Sequence, residues 1–282
     1  MNKISKLRLA LAKKNLKLFK DPKLLAALVT GSVAKGYADD FSDIDTLLIY
    51  KKNLSKKEFD RIVKDAENSG GGLYHGTPED GFAVYYYIEG VKCDFGIGHF
   101  SLTENLISEM IKKPELDLVK HLQMAGILES IVLYGGPWVQ KWKKKARRFP
   151  KELGVMMVKQ NLKFHPRWVM EKMAVKRGDI LFYHESLLES LGAIVGILCG
   201  LNKIYHPGKL KGIDCTIEHM EIKPARFLKR YRSLFNLNGL KAVNELYKLI
   251  NETIALVDKH MPEVNTDRTK AVQKMILRNE RF

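Results

Sequence analysis

The sequence predicts an α+β protein: a mixed or antiparallel sheet with flanking helices in the N-terminal half, then a C-terminal helical bundle. Three observations predict it. Apolar, β-rich runs are confined to residues 24–98, helical spacing takes over from Leu102, and the breakers "GGP" at 135–137 and "RRFP" ending at Pro150 punctuate the change. The expected division is residues 1–140 and 141–282.

Each element has its own signal. "MNKISKLRLALAKKNLKLFKDPKLLAALV" opens as a basic helix with Leu7, Leu9, Leu11, Leu16 and Phe19 available for packing. Its lysines interrupt it too often for a signal-peptide core. "LLAALVTG" reads as a strand ending at Gly31, followed by a polar turn. "IDTLLIY" is apolar on both faces beyond its aspartates, as a central strand should be. "LSKKEFDRIVKDAENS" has helical spacing, with Ser55 as cap and "SGGG" as stop. "FAVYYYI" and "VKCDFGI" flank Glu89-Gly90, a hairpin signal. Further on, "RGDILFYHESLLESLGAIVGILCGL" is a strongly apolar helical segment with Asp179 as N-cap, too rich in Glu, Ser and Gly for a membrane span. "LKAVNELYKLINETIALVDKHM" is amphipathic, with Leu240, Val243, Leu246, Leu249 and Ile250 on one side.

Composition narrows the class. Hydrophobic residues at 45% with 28% charged exclude a disordered chain. No apolar run approaches the ~20 residues of a membrane span, so no membrane partner is expected. Cys93, Cys199 and Cys215 are odd in number and unpaired in spacing, which suggests neither a disulfide framework nor a zinc site and makes a reducing cytoplasm the expected setting. The formal charge of +16 attracts nucleotide phosphates, nucleic acid or an acidic partner, unless it is only a solvated lysine surface. The densest run, "KWKKKARR" from Lys141 to Arg148, places Trp138 and Trp142 on one helix side; it reads as an RNA contact or as a solvated linker helix. Oligomeric state has no sequence signal.

The chemistry-bearing stretch is "GSVAKGYADDFSDIDTLLIY", Gly31 to Tyr50. Asp43 and Asp45, two apart on a strand, leave the same face with Cα atoms about 6.5–7 Å apart. Such a pair is either turn chemistry at a strand start or the acidic half of a site for a hard divalent ion. A third acid, Asp94, sits in the apolar strand "VKCDFGI", where it wants a metal or a positive partner. Gly31 would let the backbone approach a phosphate, and Ser32 offers a hydroxyl and an amide. A P-loop is excluded: Gly31 and Gly36 are spaced for one, but Tyr37 stands where the lysine belongs and Ala38 where the hydroxyl residue belongs. Asp39 and Asp40 read as solvated turn residues.

Gly-Ser after a strand, then "SDIDTLLI", then a single Asp in a later apolar strand resembles the DNA polymerase β-type nucleotidyltransferase superfamily, over roughly Leu24 to Gly98. The helical part that follows is similar in arrangement to the kanamycin- and lincosamide-modifying nucleotidyltransferases. The resemblance implies a nucleotidyltransferase-type sheet domain and a Mg²⁺-dependent enzyme with two ions on Asp43, Asp45 and Asp94. It also implies Gly31 and Ser32 on the β- and γ-phosphates of an NTP. The implied reaction moves a nucleoside monophosphate, AMP in first expectation, to a hydroxyl of a small molecule, an antibiotic among the candidates, and releases pyrophosphate. Glu185 and Glu189, one helical turn apart, are either an exposed pair or the general base, Glu185 first, with its pKa raised by Leu187, Leu188 and Leu191. His184 competes for that role, and Lys209 and Lys211 either reach the triphosphate or form a basic loop. The positive charge disfavours a polycationic aminoglycoside and favours RNA, a nucleotide or a protein as acceptor. The alternatives are therefore nucleotide transfer to RNA or protein, or an inactive nucleotide-binding module, against which the presence of all three acids speaks.

Overall fold

Alternating apolar residues build a six-stranded sheet in the computed structural model, which describes residues 1–275. Its strands are β1 (Leu24–Val29), β2 (Ile44–Tyr50), β3 (Gly72–Thr77), β4 (Gly81–Ile88), β5 (Val91–His99) and β6 (Ile131–Tyr134), in the spatial order β3-β4-β5-β2-β1-β6. Neighbours are antiparallel except β2 and β5, which run parallel, so the sheet is mixed. The β4–β5 hairpin turns on Glu89 (φ 52) and Gly90 (φ 75), both left-handed as a two-residue primed turn demands.

The first unit, Met1–Glu115 with Val119–Arg148, adds helices α1 (Lys3–Asn15), α2 (Gly31–Lys35), α3 (Lys56–Asn68), α4 (Phe100–Lys112), α5 (Leu118–Glu129) and α6 (Gly136–Ala146). Ser55 starts α3 with a capping box, its side chain accepting from Glu58 N while Glu58 reaches back to Ser55 N. One sheet face packs on α1 and α3 through Phe19, Leu48, Phe59, Val84, Cys93 and Phe95. The Phe19 ring meets Phe95 at 4.4 Å and Tyr86 at 5.7 Å between centroids, contacts worth about 1 kcal/mol each beyond burial. α4 and α6 pack on the sheet through β2, β5, β1 and β6. Two expectations are corrected here. Leu7 is 58% exposed rather than packed. Gly31 opens α2 instead of closing a strand, because the chain turns directly into a helix after Thr30.

The basic run is not a solvated linker. Val139, Trp142 and Ala146 are all 0% exposed, and Trp142 Nε1 donates to Glu104 Oε1 at 2.9 Å. Lys145 pairs with the same glutamate, leaving Lys141, Lys144, Arg147 and Arg148 exposed. Lys143 is buried with them, its ammonium donating to the Ser130 carbonyl at 2.6 Å. Burial, and then the Arg147 charge, lower its pKa below the ordinary 10.5. A lysine with a depressed folded pKa burdens the fold while it is protonated, and that burden lifts as pH rises from the folded toward the unfolded pKa. The melting temperature of Lys143→Met minus that of wild type should therefore fall, by a few degrees, between neutral pH and about 10. A pH-independent difference in thermal melts would show that Lys143 does not titrate in this way.

Contacts group Leu116–Leu118 with the residues from Phe149 onward as the second unit, so α6 lies wholly in the first unit; the expected division at 140/141 falls inside α6. The second unit holds α7 (Lys151–Asn161), a π-helix (Val169–Val175), α8 (Ile180–Leu201), α9 (Ile213–Glu218), α10 (Phe227–Ser233), α11 (Gly239–His260) and α12 (Asp267–Gln273). Asp179 caps α8 by accepting from Phe182 N at 3.1 Å. By length and composition α8 is apolar enough to cross a membrane. Within the unit it packs on α7 and α11, with Leu187, Leu191, Ile194 and Leu198 buried. α7 and α8 meet at Gly154 and Gly200, where a Cβ on Gly154 would lie 3.0 Å from the Gly200 carbonyl. α10 is tied to α11 by Arg230, whose guanidinium grips both oxygens of Glu252 at 2.6 and 2.8 Å and Glu245 at 2.5 Å. On α11, Val243, Leu246, Leu249 and Ile250 are buried, but Leu240 in the first turn is 46% exposed.

Candidate active site

The parallel pairing of β2 and β5 creates the site. Its register sets Ile44 against Cys93 and Asp45 against Asp94. Side chains alternate between faces, so Ile44, Cys93 and Phe95 enter the core while Asp45 and Asp94 emerge together on the other face. Asp43, two residues before Asp45, joins them. One carboxylate oxygen from each of the three lies within 4.8 Å of the others, and all three residues are half-buried. Asp94 is thus not the core residue that its apolar neighbours suggested.

Its positive partner is Lys92, two residues earlier on the same face of β5. The Lys92 ammonium donates to both oxygens of Asp94, at 2.6 and 2.7 Å, and to Asp43 Oδ2 at 3.3 Å. Tyr74 on β3 adds a hydroxyl donor to Asp94 Oδ1 at 3.1 Å. Partial burial pulls the Lys92 pKa down, but the bonds to Asp94 and Tyr74 and the charges of Asp94 and Asp43 outweigh it and raise it above 10.5. Burial likewise raises the Tyr74 phenol, Lys92 opposing and Asp94 reinforcing. The Tyr74 and Tyr85 rings stack at 4.7 Å between centroids beside the ammonium.

Gly31 closes the other side. Its φ is +64, and a Cβ there would fall 3.0 Å from Asp45 Cγ and closer still to Oδ2. No side chain fits between this backbone and the carboxylate. Thr30 N donates to the Asp45 carbonyl at 2.9 Å, fixing the end of β1 against β2 at the same point. Ser32 follows in the first turn of α2, half-buried. Asp39 and Asp40 stay exposed, and Asp39 accepts from Phe41 N and Ser42 Oγ as a turn residue does.

The donor set fits a divalent ion. Three carboxylates supply the hard oxygen ligands such ions take, and the cluster already gathers a cation, the Lys92 ammonium. Of the residues expected from sequence, the fold brings Asp43, Asp45, Asp94 and Gly31 together, with Ser32 next in the chain. Glu185 and Lys209 belong to the second unit. Glu185 is exposed on α8, which removes the apolar surroundings expected of it, and Lys209 is exposed in the turn after α8. Lys92 and Tyr74 escaped the sequence reading, though K-x-D on a strand already places Lys92 beside Asp94.

Residues 7–95 match a family model described as a nucleotidyltransferase domain. The first unit carries a nucleotidyltransferase domain. The matched segment, about a third of the chain, includes Gly31, Ser32, Asp43, Asp45, Lys92 and Asp94, and it supports a nucleotidyltransferase activity. No curated protein matches the chain in sequence. Among solved structures, a nucleotidyltransferase-like protein from Exiguobacterium sibiricum 255-15 matches at TM-score 0.38 and 13% identity, covering 91% of this chain and 79% of that one. A likeness that distant carries no functional weight.

Proposed function

We propose that this nucleotidyltransferase moves a nucleoside monophosphate, AMP in first expectation, from an NTP to a hydroxyl of a small molecule and releases pyrophosphate. The observation that carries this reading is the convergence of Asp43, Asp45 and Asp94 across the parallel strands β2 and β5, inside the matched segment. Divalent ions on the three carboxylates, Mg²⁺ and two in number by this reading, would supply charge neutralisation at phosphate oxygens and activation of the attacking hydroxyl. Asp43 and Asp45 hold the NTP side, Asp94 the acceptor side, and the Gly31 backbone and Ser32 receive the β- and γ-phosphates. An antibiotic acceptor and a cytoplasmic setting belong to the same reading, the latter supported by three free thiols.

Pyrophosphate release tests it. Each of the four NTPs is offered with Mg²⁺ against hydroxylated antibiotics and total RNA, with Asp94→Asn in parallel. Release that needs a small-molecule acceptor and disappears in the variant is the expected result; no release with any acceptor, despite NTP binding, would favour a binding module. A second reading, transfer to RNA, is favoured by the exposed Lys141, Lys144, Arg147 and Arg148 on and just after α6 and by the net charge of +16. It predicts RNA-dependent release that falls steeply with salt.

A further inference from the structure

We infer that Lys92 is the resident counter-cation of the carboxylate cluster, holding Asp94 and Asp43 together until a divalent ion displaces it, and that it thereby sets how tightly the cluster takes metal. The inference rests on reading Asp43, Asp45 and Asp94 as metal ligands.

The geometry leaves little room for both cations. Lys92 Nζ faces both oxygens of Asp94 and one of Asp43, the lone pairs that a bound ion would need. The three carboxylates gather their oxygens within 4.8 Å. A divalent ion sits about 2.0–2.6 Å from its oxygens, so an ammonium kept on those same oxygens would stand against it at a separation where like charges repel strongly. One must yield. Nζ already lies 5.5 Å from the Tyr74 ring centroid and 5.9 Å from that of Tyr85, two aromatic faces that still attract the cation as it leaves the carboxylates. The same ammonium offsets the repulsion between Asp94 and Asp43, so it stabilises the fold while competing with a divalent ion for their oxygens.

Manganese binding, followed by electron paramagnetic resonance without nucleotide, tests this in wild type, Lys92→Gln and Lys92→Arg. Lys92→Gln should bind Mn²⁺ about tenfold more tightly, while Lys92→Arg, which keeps the charge, stays within about twofold of wild type. In chelator, Lys92→Gln should melt below wild type and recover when Mn²⁺ is added. Should the glutamine fold poorly, Lys92→Met keeps the apolar stem and repeats the measurement. Equal or weaker Mn²⁺ affinity without the lysine overturns the inference; wild-type binding that Asp45→Asn abolishes would then leave the metal reading standing. No Mn²⁺ binding by wild type and Lys92→Gln alike overturns both.

Discussion

Asp45→Asn is expected to lower pyrophosphate release on the order of a thousandfold while leaving the fold intact. The substitution separates shape from charge. Asparagine keeps the shape of the side chain against Gly31 but removes a negative charge from the cluster of three carboxylates. On the proposed reading Asp45 is a metal ligand, and its loss weakens the charge stabilisation at the phosphates. Thermal melts in chelator and turnover with Mg²⁺ separate the two. A variant that melts lower yet still turns over would show that the acids are structural turn chemistry.

The site was legible in the sequence as far as strand alternation carries. A period of two places Asp43 with Asp45 and puts Asp94 on one face of β5, but it does not say which face is buried. The apolar Val91, Cys93 and Phe95 suggested that Asp94 lies inside; they face the core, and that is why Asp94 does not. The same alternation aims Lys92 at Asp94, yet a lysine before an acid reads first as surface. What sequence could not show was the parallel register that seats Asp45 against Asp94, because it joins residues far apart in the chain. β3 was missed because its residues are mostly exposed and show no alternation, and β6 because four residues are too few for a pattern. On α8 the error was angular. Leu187, two residues beyond Glu185, points to the opposite side of the helix, and Leu188, which shares its side, is 46% exposed. The basic run misled for a related reason: its charges spread round α6, while Val139, Trp142 and Ala146, spaced three and four apart, form a buried stripe.

Gly31→Ala should cut activity on the order of a hundredfold, with a loss of about 1–2 kcal/mol in stability, and the first effect should exceed what the second explains. The stability loss follows from φ +64, a left-handed conformation that a Cβ disfavours. The activity loss follows from where the methyl would go. It would overlap the Asp45 carboxylate, which must swing away from Asp43 and Asp94 or push the start of α2 outward. Either movement also displaces Ser32 relative to the acids. Gly36→Ala separates strain from position: Gly36 is equally left-handed at φ +83, and its methyl would meet Met1 Cα at 3.0 Å, away from the carboxylates. The two alanine variants should therefore melt within a few degrees of each other, while only Gly31→Ala loses turnover and Mn²⁺ affinity. If both variants lose activity equally, the effect is general loosening of α2, and the close approach of Gly31 to Asp45 is packing without a catalytic consequence.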